Sequence, residues 1–223
     1  MNIAVRNLKK IFTQPEKELI VLDGIDALFE QEKSYAITGV SGTGKSTLLH
    51  ILAGLDTPTS GEVIFGDKEL ASFSQAKRER ILNKKIGLVF QLPHLIAELS
   101  VIENTLLSGV IAGESFGKCK DRALLLLGEL GIAEKANSSP SELSGGQQQR
   151  VAIARAIFNK PRFLLADEPT GNLDIKTGKK IVDLLLSCKE KWGMGLIISS
   201  HDPYVAQSMD YRYKLENGKL QEI

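Results

Sequence analysis

The sequence predicts an α/β fold, a parallel sheet flanked by helices, organised around bound phosphate. Three observations predict it. A short apolar run, Tyr35-Ala36-Ile37-Thr38, leads into the glycine-rich stretch Gly39-Val40-Ser41-Gly42-Thr43-Gly44-Lys45-Ser46, and a helix-like segment follows. A second run, Phe163-Leu164-Leu165-Ala166, ends in Asp167-Glu168. A third, Leu196 to Ser199, ends just before His201. Short continuous apolar runs suit strands covered on both faces, the property of parallel sheets.

The chain has 223 residues, 43% of them hydrophobic, which supplies the core of one large domain or of a domain with a lobe. A net charge of +1 argues against a dedicated nucleic-acid surface. Cys119 and Cys188 lie far apart on helix-like segments and suit reduced thiols in a cytosolic protein. The N-terminus alternates like a strand, without the basic and apolar blocks of a signal peptide. No apolar run approaches the ~20 residues that cross a bilayer. A membrane role is therefore expected to run through a partner.

Taken in order, Ile3 and Val5, then Leu19 to Leu22, then Ile25, Ala27 and Phe29 alternate as strands. Tyr35 to Thr38 is a buried-type strand, and Ser46 to Ala53 the helix after the glycine loop. Thr57 to Gly61 is a turn cluster before the strand Val63-Ile64-Phe65. Ile86 to Phe90 is another strand. From Leu92 onward the pattern turns helical, over Val101–Ile111 and Lys118–Leu130, with breaks expected at Gly113, Gly117 and Gly131. This predicts a helical lobe over about 92–145, inserted into the α/β core of a single domain. Gln147 to Phe158 is a helix with Gly145-Gly146 at its start. Asp202-Pro203 reads as an N-cap and first helical residue. Tyr211, Tyr213 and Leu215 alternate into an Asn217-Gly218 hairpin turn.

The stretch Gly39 to Ser46 fits the phosphate-loop pattern at every fixed position, in the strand-loop-helix context that pattern requires. Its glycines let the backbone curl so that N–H groups point at phosphate oxygens, and the helix start adds a positive dipole end. Lys45 is expected to reach the β- and γ-phosphates, and Ser46 to ligate Mg²⁺. An ordinary glycine turn does not account for both flanks. Asp167 and Glu168 close a core strand and so reach the ligand edge of a parallel sheet. Asp167 is expected to hold Mg²⁺ and Glu168 to polarise the attacking water. A capped strand end before Pro169 is the plain alternative, and the phosphate loop weighs against it. The fold expected is thus a phosphate-loop NTPase (P-loop NTPase) core with an antiparallel β lobe and an inserted helical lobe. Leu143-Ser144-Gly145-Gly146-Gln147 adds a second anion-type helix start, with the Ser144 hydroxyl as donor.

At these residues the chain resembles the nucleotide-binding subunit of ABC transporters, over essentially its whole length. Leu143 to Gln147 is similar to that family's signature without substitution. The resemblance implies a RecA-like core and a head-to-tail homodimer in the ATP-bound state. In it the signature of each subunit caps the ATP held by the other's phosphate loop. ATP contacts are then implied for Gly39, Ser41, Gly42, Thr43, Gly44, Lys45, Ser46 and Thr47, and across the dimer for Ser144, Gly145, Gly146 and Gln147. Gln91 matches the family's Q-loop, which touches Mg²⁺ and moves with the transmembrane partner. His201 matches the switch histidine, and Asp174 the loop that crosses the dimer. Phe12 sits where the family stacks an aromatic on adenine, and it reads equally well as core of the β lobe. Catalysis is implied for Glu168, His201, Gln91 and Lys45, with Mg²⁺ at Ser46, Gln91 and Asp167.

Within the family, Ala166 to Asp174, Ala53 to Gly61, and Val89-Phe90-Gln91 with Leu95-Ile96 and Glu103-Asn104 resemble the lipoprotein-releasing (LolD) and macrolide-export (MacB) group. A stand-alone subunit of this length fits the lipoprotein-releasing type better, because in the export type the ATPase is fused to its permease. Leu92-Pro93-His94 and Ser200 depart from the usual pattern. The first touches the permease-facing surface and leaves the partner's identity open. The apolar stretch Leu92 to Ile96 is expected to line a groove for a short permease helix, with Leu95 facing the groove. Plain lobe core is the competing reading. The place implied is the cytoplasmic face of a bacterial inner membrane, with permease subunits as partners and no nucleic acid. A macrolide-type export pump is the first alternative. A soluble ATPase acting on DNA or ribosomes lacks the long coiled coil or second cassette it would need. A degenerate scaffold is disfavoured by Lys45, Asp167, Glu168 and His201.

Overall fold

The computed structural model describes residues 1–13, 17–69 and 72–223. Two sheets form, one antiparallel and one mostly parallel. The first comprises β1 (Asn2–Thr13), β2 (Glu18–Glu30), β4 (Ser60–Phe65) and β5 (Lys68–Glu69), in the order β2-β1-β4-β5. Its inward residues Ile3, Val5, Leu8, Leu22, Ile25 and Phe29 are buried, the two-residue alternation being offset by a register shift between Val5 and Leu8. This is the antiparallel β lobe expected from the sequence.

The second sheet holds β3 (Ser34–Thr38), β6 (Ile86–Val89), β7 (Phe163–Asp167), β8 (Gly195–Ser199), β9 (Tyr211–Glu216) and β10 (Lys219–Glu222), in the order β10-β9-β3-β8-β7-β6. Every pairing from β9 to β6 is parallel, and β10 returns antiparallel through the Asn217-Gly218 turn. All residues of β7 and β8 are buried, which explains why their sequences show no polar alternation. Alternation instead assigns them to two cores. Ile37, Phe163, Leu165 and Ile197 face the antiparallel sheet together with Leu48 and Leu49 of α1 (Lys45–Leu52). Ala36, Leu164, Ala166, Leu196 and Ile198 face the opposite side. There they meet α5 (Gly145–Ile157) and α6 (Ile175–Trp192), with α3 (Val101–Ile111) and α4 (Phe116–Glu129) in the same core.

Local chemistry sets the helix limits. Ser100 and Glu103 form a reciprocal capping box at the start of α3, and Gly131 at φ 66° follows α4. Gly113 lies past the end of α3, as expected, but Gly117 does not break a helix: α4 begins at Phe116, with Ser115 at the N-cap position, and contains it. A glycine in a first helical turn costs too little to override that start. Pro203 opens α7 (Pro203–Gln207), with Asp202 as N-cap. One helix, α2 (Gln75–Lys85), was not anticipated; none of its residues is buried, so no apolar stripe marks it. The carboxyl ends of β3, β6, β7 and β8 lie on one edge of the sheet, and they deliver Gly39, Gln91, Glu168 and His201 to it.

Candidate functional site

The phosphate loop curls between β3 and α1. Gly44 is the N-cap of α1 at φ 101°, and a Cβ there would stand 2.6 Å from the Val21 side chain. Both backbone and space therefore demand glycine. Thr43 Oγ1 donates to the Val40 carbonyl at 2.9 Å and so tightens the curl. The Lys45 ammonium is nearly buried and donates to the carbonyls of Gly39 and Val40 at 2.9 and 3.2 Å.

The strand ends then bring acid and hydroxyl groups to Lys45 and Ser46. Ser46 Oγ donates to Asp167 Oδ1 at 3.0 Å, and Ser199 donates to the same oxygen at 2.5 Å. Lys45 Nζ lies 3.4 Å from one oxygen of Glu168, and His201 Nδ1 lies 3.0 Å from the other. Glu168 sits at φ 46°, a left-handed conformation that costs a non-glycine residue about 1–2 kcal/mol. Its N–H donates to the Ser199 hydroxyl at 3.0 Å and carbonyl at 3.1 Å, which hold the strained turn in place.

A cleft of about 620 Å³ opens over this edge. It is lined by Phe12, Leu19, Val21, Val40, Ser41, Gly42, Gly44, Lys45, Ser46, Thr47, Gln91, Glu168 and His201. Phe12 is 41% exposed, so it belongs to the cleft wall and not to the core of the β lobe; the Lys10 ammonium lies 4.9 Å above its ring. The Gln91 amide nitrogen donates to Asn172 Oδ1 at 3.3 Å, which joins the segment after β6 to the loop after Glu168.

Ser144, Gly145, Gly146, Gln147 and Asp174 do not line this cleft. Ser144 and Gln147 form a capping box at the start of α5, with the Ser144 N–H donating to Gln147 Oε1 at 2.9 Å. Asp174 Oδ1 accepts from the Thr177 N–H at 3.0 Å and caps α6. The Thr177 hydroxyl, and after it the Thr177 N–H, hold the Asp174 carboxyl below its usual range. The two helix starts touch, since a Cβ on Gly146 would stand 2.5 Å from Thr177 Cγ2. One chain thus carries a phosphate-type cleft and, apart from it, a second anion-type helix start. In the segment after Gln91, Leu95 packs against the core while Leu92 and Ile96 are exposed, so Leu95 is not the residue presented to a groove.

Two contributors escaped the sequence reading. His50 Nε2 lies 3.9 Å from Asp167 Oδ2 and its ring packs edge-on against Phe90. Its spacing of four from Ser46 on one helix was the available signal. Ser199 had none, because its role depends on the register that sets it beside Asp167.

The chain matches a family model described as ABC transporter over residues 22–171. It is 44% identical over 218 residues to the lipoprotein-releasing system ATP-binding protein LolD of Syntrophus aciditrophicus, covering 98% of each chain. It is 39% identical over 221 residues to the LolD protein of Treponema denticola, covering 99% of this chain and 98% of that one. Among solved structures, a dimeric post-hydrolysis state of the ATP-binding cassette MJ0796 bound to ADP and Pi superposes with a TM-score of 0.91. That match has 36% identity and covers 99% of this chain and 97% of the other. A second dimeric MJ0796 structure, described as a bacterial ABC transporter cassette, gives 0.91 at 37% identity.

Proposed function

This chain belongs to the ABC transporter family as an ATP-binding, ATP-hydrolysing subunit, and we propose that the transporter it powers releases lipoproteins from a bacterial inner membrane. The relatives that carry this reading are stand-alone LolD proteins matched along nearly their full length. No observation favours the export-pump alternative.

The observation that carries the mechanism is the convergence of Lys45, Ser46, Asp167, Glu168 and His201 at one sheet edge. The loop amides and Lys45 bind the ATP phosphates, and Phe12 offers its face to the adenine. Glu168 takes a proton from the attacking water as the water oxygen adds to the γ-phosphorus and the bond to the ADP oxygen breaks. His201 holds the Glu168 carboxylate in register for that transfer. The hard oxygens of Ser46 and Asp167, already 3.0 Å apart, suit Mg²⁺, with the Gln91 amide oxygen as a third donor. When bound, the ion supplies charge neutralisation on the phosphate oxygens.

Segment 92–145 acts as the helical lobe. Two copies pair head to tail around ATP, each Ser144 to Gln147 stretch completing the other copy's cleft together with the Asp174 loop. The exposed Leu92 and Ile96 meet the permease. Among the described residues no helix is long and apolar enough to cross a membrane, and the chain sits peripherally on the cytoplasmic face. The near-neutral charge of +1 supports protein partners and no nucleic acid.

The test is reconstitution with the permease in vesicles carrying a lipid-anchored lipoprotein. ATP-dependent release of the lipoprotein is expected, and its absence from a complex that hydrolyses ATP would refute the cargo.

A further inference from the structure

We propose that Gln149 and Arg155 of α5 are positioning residues that clamp the main chain around Gln91, so that the signature end of α5 and Gln91 move as one body. The role of Gln91 at the Mg²⁺ site rests on the functional reading above.

Residues 90–99 form neither helix nor strand, yet side chains hold their carbonyls. Gln149 is 1% exposed, and its amide nitrogen donates to the Phe90 carbonyl at 3.0 Å. The two terminal nitrogens of Arg155 donate to the carbonyls of Pro93 at 2.7 Å and His94 at 2.9 Å. From α3, the fully buried Asn104 donates to the Ile96 and Leu99 carbonyls at 3.0 Å each. Its oxygen accepts from the Ile96 N–H at 2.8 Å.

Arg155 is the decisive member. Burial lowers its pKa, and among the described residues it makes no ion pair. A half-buried guanidinium without a carboxylate has lost part of its water, and what offsets that here is the forked grip on two loop carbonyls. The grip falls at a bend, where His94 sits at φ 46°. Helix α5 is a stiff rod with Ser144 at its start and Arg155 near its end, a separation of about 16 Å at the α-helical rise. Phosphate bound at Ser144 therefore displaces a rod whose far end holds the Gln91 segment. The Gln91 amide is tethered on its other side to Asn172, so a shift of α5 alters how that amide meets the cleft.

The test compares Arg155→Met, Arg155→Lys and Gln149→Leu, each alone and combined with Gln91→Ala, in the full chain. Arg155→Met is expected to lower kcat about tenfold while the affinity for a fluorescent ATP analogue stays within about twofold. The Mg²⁺ concentration for half-maximal rate should rise, and amides of residues 92–99 should exchange with deuterium about tenfold faster. Arg155→Lys should recover only part of each, because an ammonium cannot fork. In the Gln91→Ala background Arg155→Met should add no further loss of kcat, the signature of one residue acting through another. Independent, multiplying losses would overturn the clamp. Should Arg155→Met not fold, Arg155→Lys and Gln149→Leu carry the same comparison. If Gln91→Ala alone turns over like wild type, the role given to Gln91 fails. Hydrogen exchange then decides the clamp by itself, and unchanged protection at residues 92–99 overturns it.

Discussion

His201 Nδ1 stands 3.0 Å from a carboxylate oxygen of Glu168, a contact between side chains 33 residues apart that exists only because β7 and β8 lie side by side. The imidazole is mostly exposed and the carboxylate mostly buried. Replacing the ring should free the acid without unfolding anything. His201→Ala is expected to lower kcat about a hundredfold, with KM for ATP nearly unchanged. Steady-state phosphate release measures both, and a variant with wild-type kcat would remove His201 from the mechanism.

Glu168→Gln should bind ATP like wild type and lose turnover by at least about a hundredfold. The phosphate contacts are assigned above to the loop and Lys45, so on that proposal the neutral amide leaves them in place. Stalled before hydrolysis, the variant should elute as a dimer on size exclusion with ATP. Near-normal turnover contradicts the general-base role.

Without nucleotide the chain should be mainly monomeric. Two loops carrying Lys45 would otherwise face helix starts that are also electropositive. Light scattering should show dimers with ATP in the Glu168→Gln background and none after adding Ser144→Arg. A tight nucleotide-free dimer indifferent to Ser144→Arg would count against this assembly.

Leu92 and Leu95 should separate docking from packing. Leu92 is 58% exposed, whereas Leu95 packs on the core. Leu92→Asp is expected to weaken co-purification with the permease while Tm and soluble ATPase activity hold. Leu95→Asp should cost about 2–4 kcal/mol, because it places a charge against apolar neighbours. Equal permease binding by wild type and Leu92→Asp would exclude this face.

Asp210 provides a pH prediction. Burial raises its pKa, but the Ser34 N–H and hydroxyl, at 2.8 and 2.9 Å, and the Lys189 ammonium outweigh that and hold the carboxyl below its usual 3.8. A depressed folded pKa means stability that is complete above the unfolded value and lost as pH falls through the folded one. Asp210→Asn should cost about 1 kcal/mol at neutral pH, allowing for solvent screening. That is about 2–4 °C in Tm for a chain of this size. The gap between variant and wild type should begin to narrow as pH falls below about 3.8 and close only below the depressed folded pKa. A gap independent of pH would show that shape, not charge, holds β3 to β9 there.

Most of the nucleotide cleft was legible because its parts are contiguous in sequence: strand, loop and helix around Lys45, and strand and acids at Glu168. Ser100 with Glu103 and Asp202 with Pro203 also mark helix starts by local chemistry alone. What was not legible depends on pairing or on the absence of a pattern. The Ser199 contact with Asp167 needs the β7–β8 register. The grip of Arg155 on Pro93 and His94 joins residues about sixty positions apart, with no motif to announce it. Helix α2 carries no buried face, so periodicity had nothing to read. Leu95 looked like its neighbours in an apolar run, and only packing distinguishes inward from outward there.

The order of the parallel sheet has a mechanical consequence. β3, β7 and β8, which deliver Lys45, Glu168 and His201, each have a neighbour on both sides. β6, which delivers Gln91, is an edge strand and pairs with β7 alone, its other support coming from helix packing. A margin held by a single ladder of hydrogen bonds yields to load before an interior held by two. The groups proposed to react are thus mounted on the interior of the sheet, and the segment proposed to meet the permease follows its edge strand. Force arriving at Gln91 can bend that edge through a working stroke while Lys45 and Glu168 keep their spacing.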